Sequence, residues 1–239
     1  MRPPDRQPEI ELLYGIHSVA EALKNPKRSF IRLLATKNAA QRLAEDISAS
    51  GVKIEEAMPR ALDRIVGPDA VHQGAVLEAK PLLQPRLDQI GRSGIIVLLD
   101  QVTDPHNVGA IMRTCAAFAA TALVTTFRNS PEASGVLLKS ASGAFEHVPF
   151  VKVTNLSRAM EELRSYGFRI TGLDSEAPAR LEETDKTPPM ALVLGAEGKG
   201  LRQLTRDTCD VLARLDLPGE IKSLNVSNAA AIALHILQA

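Results

Sequence analysis

The sequence predicts a two-part α/β protein, a small mixed unit followed by a larger unit built on a parallel sheet. Three observations carry this. At 239 residues the chain exceeds one average domain, and its 45% hydrophobic content is that of a globular protein. The first ninety residues alternate short helical and strand-like patterns, and a Pro-Leu-Leu-Gln-Pro stretch then interrupts all periodicity. From Gly94 onward the strand-like runs are apolar on both faces with helical patterns between most of them, as in a sheet covered on both sides.

In the first unit, Ile16, Val19, Ala20 and Leu23 share a helical face that Pro26 terminates, and Phe30–Ala35 reads as a strand. Ala40, Leu43, Ala44 and Ile47 form a second helical stripe, with Asn38 as its expected cap and Gly51 just past its end. Val52–Ala57 and Gly74–Ala79 are further short strands. These boundaries predict a domain over residues 11–80, a linker over 81–93 and a second domain over 94–239. Strand-like runs in the second domain are Ile95–Leu99, Ala122–Thr125, Pro149–Val153, Phe168–Gly172, Ala191–Leu194 and Val211–Leu215. Ligands of such sheets collect beyond the carboxyl ends of the strands.

Composition excludes several classes. The 28 basic and 28 acidic side chains cancel. No apolar run approaches the ~18 residues of a membrane-spanning helix, and the charged, proline-rich residues 1–11 predict no signal peptide. Two distant cysteines, Cys115 and Cys209, make neither a disulfide framework nor a zinc site, which suits a reducing cytoplasm. With six Phe, two Tyr and no Trp, a broad base-stacking platform is not expected. From Lys24 to Arg42 the chain carries Lys24, Lys27, Arg28, Arg32, Lys37 and Arg42 with no acidic residue. That stretch is either a solvated face or a surface that grips nucleic-acid phosphates.

Three loops hold the unusual residues. The first runs from Asp100 through Pro105, His106 and Asn107 into a helix, which Asn107 is expected to cap. Val108, Ile111, Met112 and Cys115 form that helix's apolar stripe, and Arg113 lies off it. The second, Gly195-Ala-Glu197-Gly198-Lys-Gly200, follows an apolar strand. Its glycines match neither the dinucleotide nor the phosphate-loop spacing. The third places Ser223, Asn225 and Ser227 in alternation with Leu224 and Val226, just ahead of an alanine-rich helix.

Asp-Pro-x-Asn-x-Gly with Arg113 six residues after Asn107, then Gly-Ala-Glu-Gly-x-Gly, then Ser-Leu-Asn-Val-Ser resembles the three motifs of the SPOUT-class RNA ribose methyltransferases, in their SpoU/TrmH branch. Tyr14-Gly-Ile-His and His72-Gln-Gly are similar to that family's small N-terminal RNA-binding domain. The resemblance implies a SPOUT fold with a C-terminal trefoil knot, and methyl transfer from S-adenosylmethionine to a ribose 2′-hydroxyl of structured RNA without a metal. Large-subunit ribosomal RNA is the expected substrate. A transfer-RNA methyltransferase and a non-catalytic RNA-binding protein are the alternatives. It assigns the reaction to Arg113, Asn107, Glu197, Ser223, Asn225 and Ser227, and the cofactor to Leu194, Gly195, Gly198, Leu215, Leu217 and Leu224. It also implies a homodimer. On this reading a fragment starting near Gly94 is expected to fold and bind cofactor alone.

Overall fold

The computed structural model describes residues 10–128, 130–131, 134–221 and 223–238. Contacts divide the chain into two compact units, Met1–Leu83 with Ala133–Glu146, and Gln84–Glu132 with His147–Ala239.

The first unit begins with strand β1 (Glu11–Tyr14) and helix α1 (Ile16–Lys24), followed by β2 (Phe30–Ala35). The second helical stripe is broken in two, α2 (Lys37–Arg42) and α3 (Ala44–Ser50), because Leu43 leaves helical geometry between them. Its cap is Thr36, whose hydroxyl accepts from Ala39 N, and not Asn38, which already lies inside the helix. Gly51 closes α3 with a left-handed φ of 66°, as its place past the stripe predicts. Next come β3 (Ile54–Glu56), α4 (Pro59–Val66) and β4 (Ala75–Ala79). The sheet order is β1-β4-β2-β3; β4 runs antiparallel to both neighbours, and β2 and β3 are parallel. All five residues of central β4 are buried. Neither β1 nor α4 stands out in the sequence, since each is too short for its periodicity to register.

The second unit opens with the residues expected to be a linker. From Gln84 they pack on it. Leu87 is buried, the Gln84 side chain accepts from Phe150 N at 2.9 Å, Thr121 Oγ1 donates to Ser93 O at 2.6 Å, and the Arg92 guanidinium lies 4.1 Å from the Tyr166 ring centre. Strand β5 (Ile95–Asp100), helix α5 (Pro105–Ala117) and strand β6 (Ala122–Thr126) follow. Helix α6 (Gly135–Ala141) and the turn Ala144–Glu146 belong to the first unit, although residues on both sides of them belong to the second. The chain resumes with β7 (Phe150–Val153), α7 (Leu156–Ser165), β8 (Arg169–Leu173), β9 (Ala179–Arg180), β10 (Met190–Gly195), α8 (Gln203–Thr208), β11 (Val211–Arg214) and α9 (Val226–Gln238).

Seven strands form one sheet in the order β7-β6-β5-β10-β8-β11-β9, and every pairing is parallel. The expected class is therefore found. The first five residues of β10 are buried, which is why Met190–Leu194 reads as an unbroken apolar run. Because β10 lies between β5 and β8, and β8 beside β11, the carboxyl ends of these four strands are neighbours along one edge. The three unusual loops leave from β5, β10 and β11.

Candidate functional site

The first loop starts at Asp100, whose carboxylate is completely buried at the end of β5. It accepts from Arg202 Nε at 2.7 Å and from Arg202 N at 2.9 Å, which moors the far end of the glycine loop. Asp104 caps α5 by accepting from His106 N at 2.9 Å, with Pro105 in the first helical position. The expected cap, Asn107, is thus displaced into the first turn, and its amide is released from capping. The stripe Val108, Ile111, Met112 and Cys115 is buried as expected, and Arg113 is exposed. Arg113 makes no hydrogen bond or ion pair with any described residue.

The glycine loop folds back on itself. Ala196 and Gly200 pair across it, with Gly200 N donating to Ala196 O at 2.8 Å. A Cβ on Gly195 would sit 2.2 Å from the carbonyl carbon of Gly200, so no other residue fits there. Gly198 has open space around it but holds φ at +74°, a left-handed value that disfavours a side chain for a different reason.

The third loop ends at Asn225, which precedes α9. Its Oδ1 accepts from Ser227 N at 2.8 Å and from Ser227 Oγ at 2.6 Å, an N-cap arrangement. With the oxygen committed to the helix, Nδ2 faces the other way. It donates to Asn107 Oδ1 at 3.1 Å and to Glu197 Oε2 at 3.4 Å. One amide therefore joins all three loops. Asn107, Glu197, Asn225 and Ser227 are brought together. Ser223 is exposed and lines the adjoining pocket, and Arg113 stands apart from the hydrogen-bonded group.

That pocket has a volume of about 200 Å³. Leu194, Gly195, Gly198, Leu215, Leu217 and Leu224 all line it, so the cofactor set implied by the resemblance converges on one cavity. Leu173, Asp174 and Ser175 line it too, and the sequence reading missed them. Their signal was positional: Leu173 ends β8 and Asp174 and Ser175 follow it, β8 lies between β10 and β11, and the ligand rule applies to its carboxyl end as well. Asp174 is buried, ion-paired with Arg206, and accepts from Glu176 N at 2.9 Å.

Neither cysteine offers a nucleophile. Burial pushes both thiols up to about 12, Cys115 inside α5 and Cys209 beside Asp210. Among the described residues no group of three or more His, Cys, Asp or Glu stands where it would hold a metal. No helix of the described residues is long and apolar enough to cross a membrane.

The basic stretch looks different once folded. Arg28 is buried between Glu11 and Glu146, with Glu146 at 2.6 Å. Arg32 pairs with Glu78 and Glu55 at 2.9 Å, Lys24 with Glu21 at 2.9 Å, and Lys37 with Glu56 at 3.7 Å. Four of its six cations have acidic partners contributed by other segments. Of the two alternatives for this stretch, the phosphate-gripping surface rested on the absence of acidic residues from the stretch itself.

Residues 94–235 match the model of the SpoU rRNA methylase family, and residues 12–85 match that of the RNA 2′-O ribose methyltransferase substrate-binding domain. The chain is 37% identical to the 23S rRNA (guanosine-2′-O-)-methyltransferase RlmB of Pseudomonas putida over 237 residues, 95% of each chain. It is 39% identical to RlmB of Ralstonia nicotianae over 233 residues, 94% of this chain and 93% of the relative. The crystal structure of the SpoU methyltransferase AviRb from Streptomyces viridochromogenes, in complex with AdoMet, superposes with a TM-score of 0.80 at 25% identity, covering 96% of this chain and 89% of that one. With three motif loops joined at one amide and a family match over more than half its length, the chain belongs to the SpoU rRNA methylase family.

Proposed function

We propose that this protein transfers a methyl group from S-adenosylmethionine to the 2′-hydroxyl of a guanosine in 23S ribosomal RNA. The observation that carries the reading is the Asn107–Asn225–Glu197 junction on the rim of a pocket lined by glycines, leucines and a few polar side chains. The pocket suits the cofactor. The folded-back glycine loop presents main chain at Gly195, Gly198 and Gly200 beside Glu197, and Leu194, Leu215, Leu217 and Leu224 offer an apolar slot for a flat base. When bound, the cofactor supplies an electrophilic methyl on a sulfonium, which departs as a neutral thioether as the ribose oxygen takes the methyl.

The protein's own task is to place the hydroxyl, exclude water and deal with a proton. Guanidinium groups are in general poor bases, which argues for a binding role for Arg113. In this reading its planar fork binds the target phosphate and stabilises the alkoxide that develops at the 2′-oxygen. Asn225 acts through others: its two donors hold Asn107 and Glu197 in place, and Ser227 fixes its orientation. Ser223 on the pocket wall borders the ribose. A homodimer, a cytoplasmic location and a knotted C-terminal segment belong to the same proposal.

The test is labelled-methyl incorporation into ribosomal RNA from cells lacking the modification, followed by digestion and identification of the nucleoside. Labelled 2′-O-methylguanosine is the expected product, and incorporation into a base or into no RNA refutes the reading. Arg113→Ala should abolish turnover while cofactor affinity stays within a few fold. Arg113→Lys should fail as well, because a point charge does not reproduce the fork.

A further inference from the structure

Of the chain's eight aromatic side chains Phe127 is the exposed one, at 57%, and it lies directly past the carboxyl end of β6. Its position is well fixed. Thr125 and Thr126, both buried, turn their hydroxyls to the loop: Thr125 Oγ1 donates to Ser130 Oγ at 2.9 Å and Thr126 Oγ1 donates to the carbonyl of Arg128. Phe127 N donates to Val153 O at 2.9 Å. These hydrogen bonds place a largely exposed apolar ring in water, which is unfavourable for the isolated chain. Arg128 beside it is exposed, and its guanidinium makes no hydrogen bond or ion pair with any described residue.

The turn stands next to the reaction loops. Strands β5 and β6 are parallel with Leu98 opposite Val124, so Asp100 and Thr126 end the two strands level. Phe127 then leaves the sheet one strand spacing, ~4.8 Å, from the start of the loop that carries Asn107. An aromatic face flanked by a guanidinium without a partner among the described residues matches a nucleotide in both parts, ring on base and cation on phosphate. We propose that Phe127 and Arg128 bind a nucleotide of the substrate RNA flanking the one that is methylated, with its base stacked on Phe127 and its phosphate on Arg128. This rests on the function proposed above.

Phe127→Ala, Phe127→Trp and Arg128→Gln, each assayed as full-length protein with unmodified ribosomal RNA, test it. Phe127→Ala should weaken RNA affinity and raise the KM for RNA roughly five- to 150-fold, the range of base–aromatic stacking. Phe127→Trp should keep wild-type affinity. Arg128→Gln should weaken binding and make the log–log salt dependence shallower by roughly 0.7–0.9. Cofactor-induced thermal stabilisation should be unchanged in all three. Unaltered RNA affinity in Phe127→Ala overturns the proposal, as does a shift in sedimentation from dimer to monomer, which would make the ring a contact between two copies of the chain. If wild-type protein methylates no RNA, the function itself has failed and this site falls with it; if wild type is active and Phe127→Ala binds RNA normally, this site alone is refuted.

Discussion

Asn225 donates one amide to both Asn107 and Glu197, residues that lie 118 and 28 positions away along the chain. It does so because its oxygen is already engaged by the first turn of α9. Asn225→Asp tests this division. Aspartate caps a helix as well as asparagine does, so stability should change by less than about 1 kcal/mol. Both donors are lost, however, and a carboxylate is set against that of Glu197. Activity should fall by about a hundredfold or more, as loss of alignment costs, while melting temperature barely moves. A variant that loses both together would make Asn225 a folding residue only.

The glycine loop separates two kinds of constraint. Gly195→Ala drives a Cβ into the backbone of Gly200 at 2.2 Å, so the loop must open. Gly198→Ala meets nothing and carries only the left-handed penalty, about 1–2 kcal/mol. Wild type should gain ~2.7 kcal/mol from cofactor at a hundred times its dissociation constant. Gly195→Ala should lose that gain and Gly198→Ala should keep much of it, as read by thermal shift with and without S-adenosylmethionine.

Glu11 makes stability depend on pH. Burial raises its carboxyl above the ordinary 4.5, Arg28 opposes this, and the charge of Glu146 adds to it. Between that ordinary value and the raised folded one, the native protein binds more protons than the unfolded chain. Stability contributed by this group therefore falls as pH rises through the window. Glu11→Gln should flatten the dependence and leave Arg28 paired with Glu146. Denaturant midpoints at a series of pH values from about 4.5 upward measure it, and a parallel curve for the variant would contradict it.

A fragment starting at Gly94 should not behave as the sequence alone suggests. It would carry α6 without β1 and α1, the elements that α6 packs against in the first unit. Leu137, Leu138 and Ala141, all buried in the full chain, would then face water. The fragment should bind an apolar dye, aggregate at micromolar concentration, and regain solubility when residues 1–83 are supplied in trans. A monomeric, cofactor-binding fragment would show that this packing is dispensable.

What was legible in the chain was local. Phe30–Ala35 is a strand to the residue, and the parallel sheet follows from runs such as Ala191–Leu194, because burial on both faces leaves an unbroken apolar string. The three loops stood out because glycine, asparagine and serine at strand ends have few structural reasons to cluster. What was not legible depended on distant partners. Arg32 looked like a free cation until Glu78, 46 residues away, met it across the sheet. Thr36 displaced Asn38 as a cap because the strand before it ends where its hydroxyl reaches Ala39 N. Asp174 went unnoticed since no single-residue pattern shows that β8 borders β10.

The place of β10 has a consequence for the order in which the protein becomes itself. Strands β5 to β8 precede β10 in the chain, yet β10 is the one that lies between β5 and β8, and it holds them together. Until it inserts, the strand that launches Asn107 and the strand that launches Asp174 belong to separate pieces with no common edge. Loop closures of this span are slow because chain entropy is lost before contacts reward it. The pocket is consequently absent from every partly folded state that lacks β10, and a half-folded chain holds no cofactor and modifies no RNA.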